Sequence, residues 1–246
     1  MVVGKICARE GVKERKVWRM IKTVFFDLDD TLFDFHASEH TAILDTFRHV
    51  GIEPSEETAA LYSRINLSCW ERLERGEWTR DEVLVRRFDL LFDALGVAGD
   101  AMATQKYYEE RLSHEVCYID GARELLEGMR GKYRLYITSN GTAIVQDRRI
   151  ASSGISEYFD GIFISERVGA HKPSAEFFDR IFDTVGGERG ETVIIGDSLT
   201  SDIRGGLNAG IHTVHYNPQG RVNDTGILPE YEVRELCEIP ALIERI

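Results

Sequence analysis

Short apolar runs recur along the chain, each followed by polar residues and then a helix-length segment. They are Lys22–Phe26, Tyr133–Thr138, Gly161–Ser165, Thr192–Gly196 and Ile211–Tyr216. Runs of this length, rich in Val, Ile and aromatic residues, read as buried parallel strands joined by helical crossovers. They predict an α/β fold with a doubly wound parallel sheet. The interval between the first two runs breaks the rhythm, with no strand signal and apolar residues at helical spacing. Ile43, Leu44, Phe47 and Val50 form one stripe, Leu61, Ile65, Cys69 and Leu73 a second, and Leu84, Phe88, Leu91 and Leu95 a third. Residues 35–115 are therefore expected to form an inserted helical bundle, with an α/β core at 21–34 and 116–246 and a basic N-terminal extension at 1–20.

Composition narrows the function classes. The chain has 246 residues, 43% hydrophobic and 29% charged, a folded globular composition without a run of about 20 apolar residues that could span a bilayer. The formal net charge is −12, yet residues 1–22 carry +5, so the remainder carries −17. A field of that sign repels nucleic-acid polymers and anionic membranes. The basic leader lacks the apolar stretch of a secretory signal, and a solvated extension, or a natural start at Met20, is the expectation. Cys7, Cys69, Cys117 and Cys237 lie far apart without a Cys-x-x-Cys pair, which fits reduced thiols in the cytoplasm.

The candidate chemistry collects where the strands end, the edge at which open α/β sheets bind ligands. The first run leads into Asp27-Leu28-Asp29-Asp30-Thr31-Leu32-Phe33-Asp34. Asp27 and Asp29, two apart in extended chain, project to one side, and such crowded carboxylates call for a cation. An EF-hand calcium loop does not fit, because Leu32 and Ser38 occupy its glycine and glutamate positions. Turn capping explains one or two of Asp30, Thr31 and Asp34, not the whole cluster. The second run ends in Thr138-Ser139-Asn140-Gly141, a set of donors suited to an anion. His171-Lys172-Pro173 follows the third, with Pro173 expected at a first helical position, and Gly196-Asp197 with Asp202 closes the fourth. Gly205 and Gly206 suggest that the next helix approaches the sheet closely.

This ordered set resembles the haloacid dehalogenase-like (HAD) hydrolase superfamily from about residue 21 to the C-terminus. Its four motifs match Asp27-Leu28-Asp29-Asp30-Thr31, Ser139, Lys172-Pro173, and Gly196-Asp197 with Asp202. The helical insertion resembles the family's C1 cap. The resemblance implies a phosphomonoester hydrolase in which Asp27 is the nucleophile and Asp29 the acid and base. Ser139, Asn140 and Lys172 would bind phosphate. Mg²⁺ would sit on Asp27, the Asp29 carbonyl and Asp197, with Asp202 in an outer role. The second aspartate sets the motif apart from that of dehalogenases. A phosphomutase keeps both aspartates and stands as an alternative, as do a sugar-phosphate or phosphoglycolate phosphatase and a non-catalytic binding or regulatory protein on the same fold. In the insertion, Tyr62, Asn66 and Trp70 form an i, i+4, i+8 row that bundle packing or substrate contact would each explain. Trp70, Gly76, Thr79 and Arg87-Phe88 are similar to the bacterial pyrimidine 5′-nucleotidase branch, which implies a nucleoside 5′-monophosphate among small phosphorylated metabolites as substrate.

Overall fold

The computed structural model describes residues 20–246, so all of the basic extension except Met20 lies outside the described residues. The five apolar runs become strands β1 (Thr23–Phe26), β2 (Arg134–Ser139), β3 (Gly161–Ile164), β4 (Thr192–Gly196) and β5 (His212–Tyr216). A sixth, β6 (Tyr231–Val233), extends the edge; its three residues are too few to show periodicity in the sequence. The order is β3-β2-β1-β4-β5-β6, with every neighbouring pair parallel.

Alternation along each strand divides the core between the two faces. Val24, Phe26, Leu135, Ile137, Val193 and Ile195 face helices α5 (Ala122–Met129), α6 (Ala143–Ser153) and α10 (Ile239–Ile243). Phe25, Tyr136 and Ile194 face α8 (Ala175–Val185) and α9 (Arg204–Ala209), and Val168 of the short α7 (Ser165–Val168) packs against the same cluster. Each large apolar side chain removed from water contributes about 1.5–3 kcal/mol. The central strand β1 is fully buried on both faces, so the residue that follows it is held in place from both sides.

Four consecutive helices lie between β1 and β2: α1 (Phe35–Val50), α2 (Glu56–Glu74), α3 (Arg80–Leu95) and α4 (Ala101–Leu112). Asp34, Ser55, Thr79 and Asp100 cap their N-termini through side-chain oxygens. The buried faces differ from the expected stripes. On α2 the face is Ala59, Tyr62, Asn66, Cys69 and Leu73, and on α3 it is Val83, Arg87, Phe88, Leu91 and Phe92. Both helices are turned so that Asn66 and Arg87 point inward, where they bond to each other at 2.8 Å. A satisfied polar pair is compatible with burial, and an apolar count cannot anticipate it. Among the described residues no helix is long and apolar enough to cross a membrane.

The close approach to the sheet is present at Gly206, whereas Gly205 packs on Phe178 of α8 and on Pro173. A Cβ on Gly206 would lie 2.6 Å from Ile194 Cγ2 and from Thr213 Cγ2. Gly206→Ala should therefore cost about 1–3 kcal/mol by overpacking, despite alanine's better helix propensity. Urea denaturation of the two proteins measures the difference, and an unchanged or higher midpoint contradicts the packing.

Candidate active site

At the carboxyl edge of the sheet, the backbone amide of Asp27 still bonds to Ile195 O at 2.9 Å, which fixes the side chain one residue past the strand. Its carboxylate meets Lys172, whose Nζ donates to Asp27 Oδ1 at 2.6 Å, Asp202 Oδ1 at 2.7 Å and the Thr138 carbonyl at 2.7 Å. An ammonium has three hydrogens, and all three are engaged. Lys172 is 1% exposed, so it is a core residue rather than a group at the rim. The Lys172-Pro173 bond is cis, and Pro173 precedes the Ser174 cap of α8 instead of opening the helix.

The side chain of Asn140 is bonded within the protein rather than left open to an anion. Its Oδ1 accepts from Lys172 N at 3.0 Å, while Nδ2 donates to Lys172 O at 2.8 Å and to Ser201 Oγ at 3.2 Å. Both amide hydrogens are thus taken, and the side chain holds the backbone of Lys172 on both sides. Ser139, the last residue of β2, is buried, with its Oγ accepting from Gly141 N at 3.0 Å and Gln146 Nε2 at 2.9 Å. Asp202 has both oxygens engaged, by Lys172 Nζ and by Ser198 N at 3.1 Å, in a π-helical turn over Leu199–Ile203. Thr31 Oγ1 accepts from Asp197 N at 3.1 Å, which ties the first acidic segment to the fourth. Asp30 and Asp34 serve the N-terminus of α1: Asp30 Oδ1 accepts from Phe35 N, and Asp34 Oδ1 from Ala37 N. Asp30 also turns the chain, at a φ of 58°.

Carboxylate oxygens of Asp27, Asp197 and Asp202 lie within 4.8 Å of one another. Burial pushes the Asp27 carboxyl up to about 8 against the pull of Lys172, and burial raises Asp197 well above the carboxylate range, with Asp27 and Asp202 adding repulsion. Burial also opposes the charge on Lys172, but Asp202 and Asp27 outweigh it and hold the ammonium above the usual lysine range. One ammonium therefore faces three carboxylates. An all-oxygen set whose carboxyl groups resist carrying charge together fits a hard divalent cation, which would offset that repulsion. Asp27 and Asp197 have oxygens free for it, whereas those of Asp202 are already bonded.

These groups line one end of a cavity of about 550 Å³ that continues beneath α1, α2, α3 and α4, where Glu39, Asn66, Trp70, Arg87 and Gln105 line it. Of the row expected to face a substrate, Asn66 and Trp70 reach the cavity. Tyr62 does not: its ring is fully buried, stacked on Phe88 at 5.3 Å and against Tyr108 at 5.4 Å. Asn66 Oδ1 accepts from Arg87 and from Trp70 Nε1, and Asn66 Nδ2 donates to Glu39 Oε1 at 2.7 Å. Arg87 also donates to Gln105 Oε1 at 2.7 Å. Sequence reasoning missed Glu39, Gln105, Gln146, Arg149 and His215. His215, on β5, bonds through Nε2 to the Asp197 carbonyl at 3.0 Å and through Nδ1 to Glu232 at 3.1 Å. A polar residue inside an apolar strand pattern was the one available signal for it.

Residues 21–210 match the family described as haloacid dehalogenase-like hydrolase, and the chain belongs to that family. It is 38% identical over 219 residues to the HAD-hydrolase YfnB of Bacillus subtilis, covering 89% of this chain and 93% of YfnB. It is 36% identical to the pyrimidine 5′-nucleotidase PynA of Streptococcus pneumoniae, over 86% of this chain and 90% of that one. The pyrimidine 5′-nucleotidase YjjG of Escherichia coli is 30% identical, over 89% and 96%. The magnesium-bound crystal structure of YfnB, described as revealing interdomain movement, superposes with a TM-score of 0.87 over 92% of this chain and 99% of YfnB.

Glu74, at the end of α2, lines the same cavity, and burial raises its carboxyl from about 4.5 to about 7 despite a hydrogen bond from Thr200. The folded protein then holds this proton more tightly than the unfolded chain does. Its stabilising contribution is present below about pH 4.5 and lost as pH rises through about 7. Glu74→Gln should be about 1–3 kcal/mol more stable than wild type at pH 8 and equal to it near pH 4.5. Urea denaturation at the two pH values checks this, and a pH-independent difference contradicts it.

Proposed function

Taking membership of the haloacid dehalogenase-like hydrolases as the premise, we propose that this chain is a Mg²⁺-dependent phosphomonoester hydrolase acting through an aspartyl-phosphate on Asp27. The observation that carries the reading is the convergence of Asp27, Ser139, Lys172 and Asp197 from separate strand ends on one buried point, with Asp29 on the same cavity. Asp27, the Asp29 backbone carbonyl and Asp197 would hold the Mg²⁺, with Asp202 behind them. Bound there, the ion would supply Lewis-acid polarisation and offset the repulsion between an anionic nucleophile and an anionic ester.

The chain's own groups account for the remaining steps. An Asp27 oxygen attacks phosphorus, and the bond from phosphorus to the ester oxygen breaks. Asp29 gives that oxygen its proton, then takes one from the water that attacks phosphorus and releases Asp27. Esterified Asp27 no longer carries the charge that holds one Lys172 hydrogen, so that donor passes to the transferring phosphoryl group. Ser139 adds a second donor. The segment 35–115 is a cap whose underside selects the substrate, and its aromatic wall, Trp70, stacks on a base. We assign a nucleoside 5′-monophosphate as substrate, with sugar phosphates as the alternative. Two of the relatives described above are pyrimidine 5′-nucleotidases, and the polar groups around Asn66, Arg87 and Gln105 suit a heterocycle bearing carbonyl groups. Free Cys69, Cys117 and Cys237 fit a cytoplasmic enzyme.

Asp27→Asn should lower phosphatase turnover by more than about 10³-fold in the presence of Mg²⁺, and undiminished turnover would sink the nucleophile assignment. Trp70→Ala should raise KM for a pyrimidine nucleoside monophosphate about tenfold while leaving KM for p-nitrophenyl phosphate within about twofold. Equal effects on both substrates count against stacking.

A further inference from the structure

Helix α6 carries two buried polar side chains that the account so far leaves without a role, Gln146 (1% exposed) and Arg149 (0% exposed). Both close on Asp29. Arg149 Nη1 donates to Asp29 Oδ1 at 2.5 Å, and Gln146 Nε2 donates to Asp29 Oδ2 at 2.6 Å. No other carboxylate lies within ion-pair distance of Arg149 among the described residues. The guanidinium is anchored behind by Nε to the Glu115 carbonyl at 3.0 Å, while its Nη2 is buried without a hydrogen-bond partner. A fully buried guanidinium is costly to desolvate, and Asp29 is the group that compensates it.

The orientation of the Gln146 amide follows from its neighbours. Arg149 Nη1 has only hydrogens to give and meets Gln146 Oε1 at 3.0 Å, so the amide nitrogen must face the other way. There it has two hydrogens and two acceptors, Asp29 Oδ2 and Ser139 Oγ at 2.9 Å. Ser139 Oγ also accepts from Gly141 N, so both of its lone pairs are engaged and its own hydrogen must be donated elsewhere. The outlet is the cavity, which Ser139 lines. Gly141 makes the arrangement possible: a Cβ there would lie 2.3 Å from Gln146 Nε2.

We propose that Gln146 and Arg149 are positioning residues that hold the Asp29 carboxyl group in one place and oblige Ser139 to act as a hydrogen-bond donor. This inference rests on the phosphatase reading above. Its consequence in the first half-reaction falls on the step that delivers a proton to the leaving oxygen, which matters for an alkoxide and little for p-nitrophenolate, a stabilised anion that departs without a proton; release of Asp27 by water is common to both esters. General acid catalysis of this kind is worth about 10²–10⁴-fold.

The test compares kcat/KM, which covers only the steps up to loss of the leaving group, for uridine 5′-monophosphate and p-nitrophenyl phosphate, with Mg²⁺, in wild type, Gln146→Met and Arg149→Lys. A thermal melt of each protein reports the fold. Gln146→Met keeps volume and removes both donated bonds; Arg149→Lys keeps the charge and removes the fork. The expected result is a loss of about 10–100-fold on the nucleotide and less than about threefold on the aryl ester in Gln146→Met. Arg149→Lys should show a smaller loss of the same selectivity. Equal losses on the two esters, or none, in a Gln146→Met protein that melts like wild type overturn the proposal. If Gln146→Met does not fold, the same criterion applies to Arg149→Lys, and failure of both to fold overturns it in favour of a purely structural role. A wild-type protein that cleaves p-nitrophenyl phosphate but not the nucleotide contradicts the substrate assignment alone, and glycerol 3-phosphate then serves as the alkyl ester. A wild-type protein inactive on all three overturns the phosphatase reading and this proposal with it.

Discussion

Everything at the active edge depends on one buried ammonium. Lys172 is closed off from solvent and engages two carboxylates and a backbone carbonyl, each on a different element. Desolvating such a charge costs several kcal/mol, and only a complete set of partners offsets the cost. The surroundings supply that completeness. Asn140 holds the Lys172 backbone on both sides, Ser198 N holds the second oxygen of Asp202, and the ladder between β1 and β4 continues one residue further to place Asp27. The same arrangement crowds three carboxyl groups around one ammonium, and burial raises two of them, Asp27 and Asp197, so they resist ionising together. The site is thus held from several sides and electrostatically incomplete at once, the condition that suits a divalent cation.

A second network sits at the far end of the cavity and follows the same physical rule. Arg87 is buried and can only donate, so it turns the oxygens of Asn66 and Gln105 toward itself. Asn66 then offers its hydrogens to Glu39, whose carboxyl is raised by burial and which also accepts from Ser63. Helix orientation in the bundle is set by this chain of bonds as much as by apolar contact. The two networks bracket the cavity, one at the strand ends and one beneath the helices.

Much of this was legible in the amino-acid sequence. The five long strands follow from apolar runs, Asp27, Ser139 and Asp197 follow from where those runs stop, and Lys172 and Asp202 from the segments beyond the third and fourth. What stayed hidden has a common cause. Gln146 and Arg149 reach Asp29 across more than a hundred residues from the middle of a helix, where one polar residue per turn reads as a solvated face. Asn66 and Arg87 are buried by virtue of each other, which periodicity applied to a single helix cannot register. The part Asn140 plays in holding Lys172 was hidden because a side-chain amide beside an anion site looks like a ligand until its partners are counted. Tyr62 lay on the correct helix but one row too deep.

The central claim is covalent chemistry on Asp27. Acid quenching of the protein during steady turnover of a phosphomonoester, followed by mass spectrometry of its peptides, tests it most directly. A phosphoryl group should appear on the peptide containing Asp27, disappear when substrate is exhausted, and be absent from Asp27→Asn. Steady turnover with no phosphoryl on that peptide, or with the group on Ser139, would contradict the account.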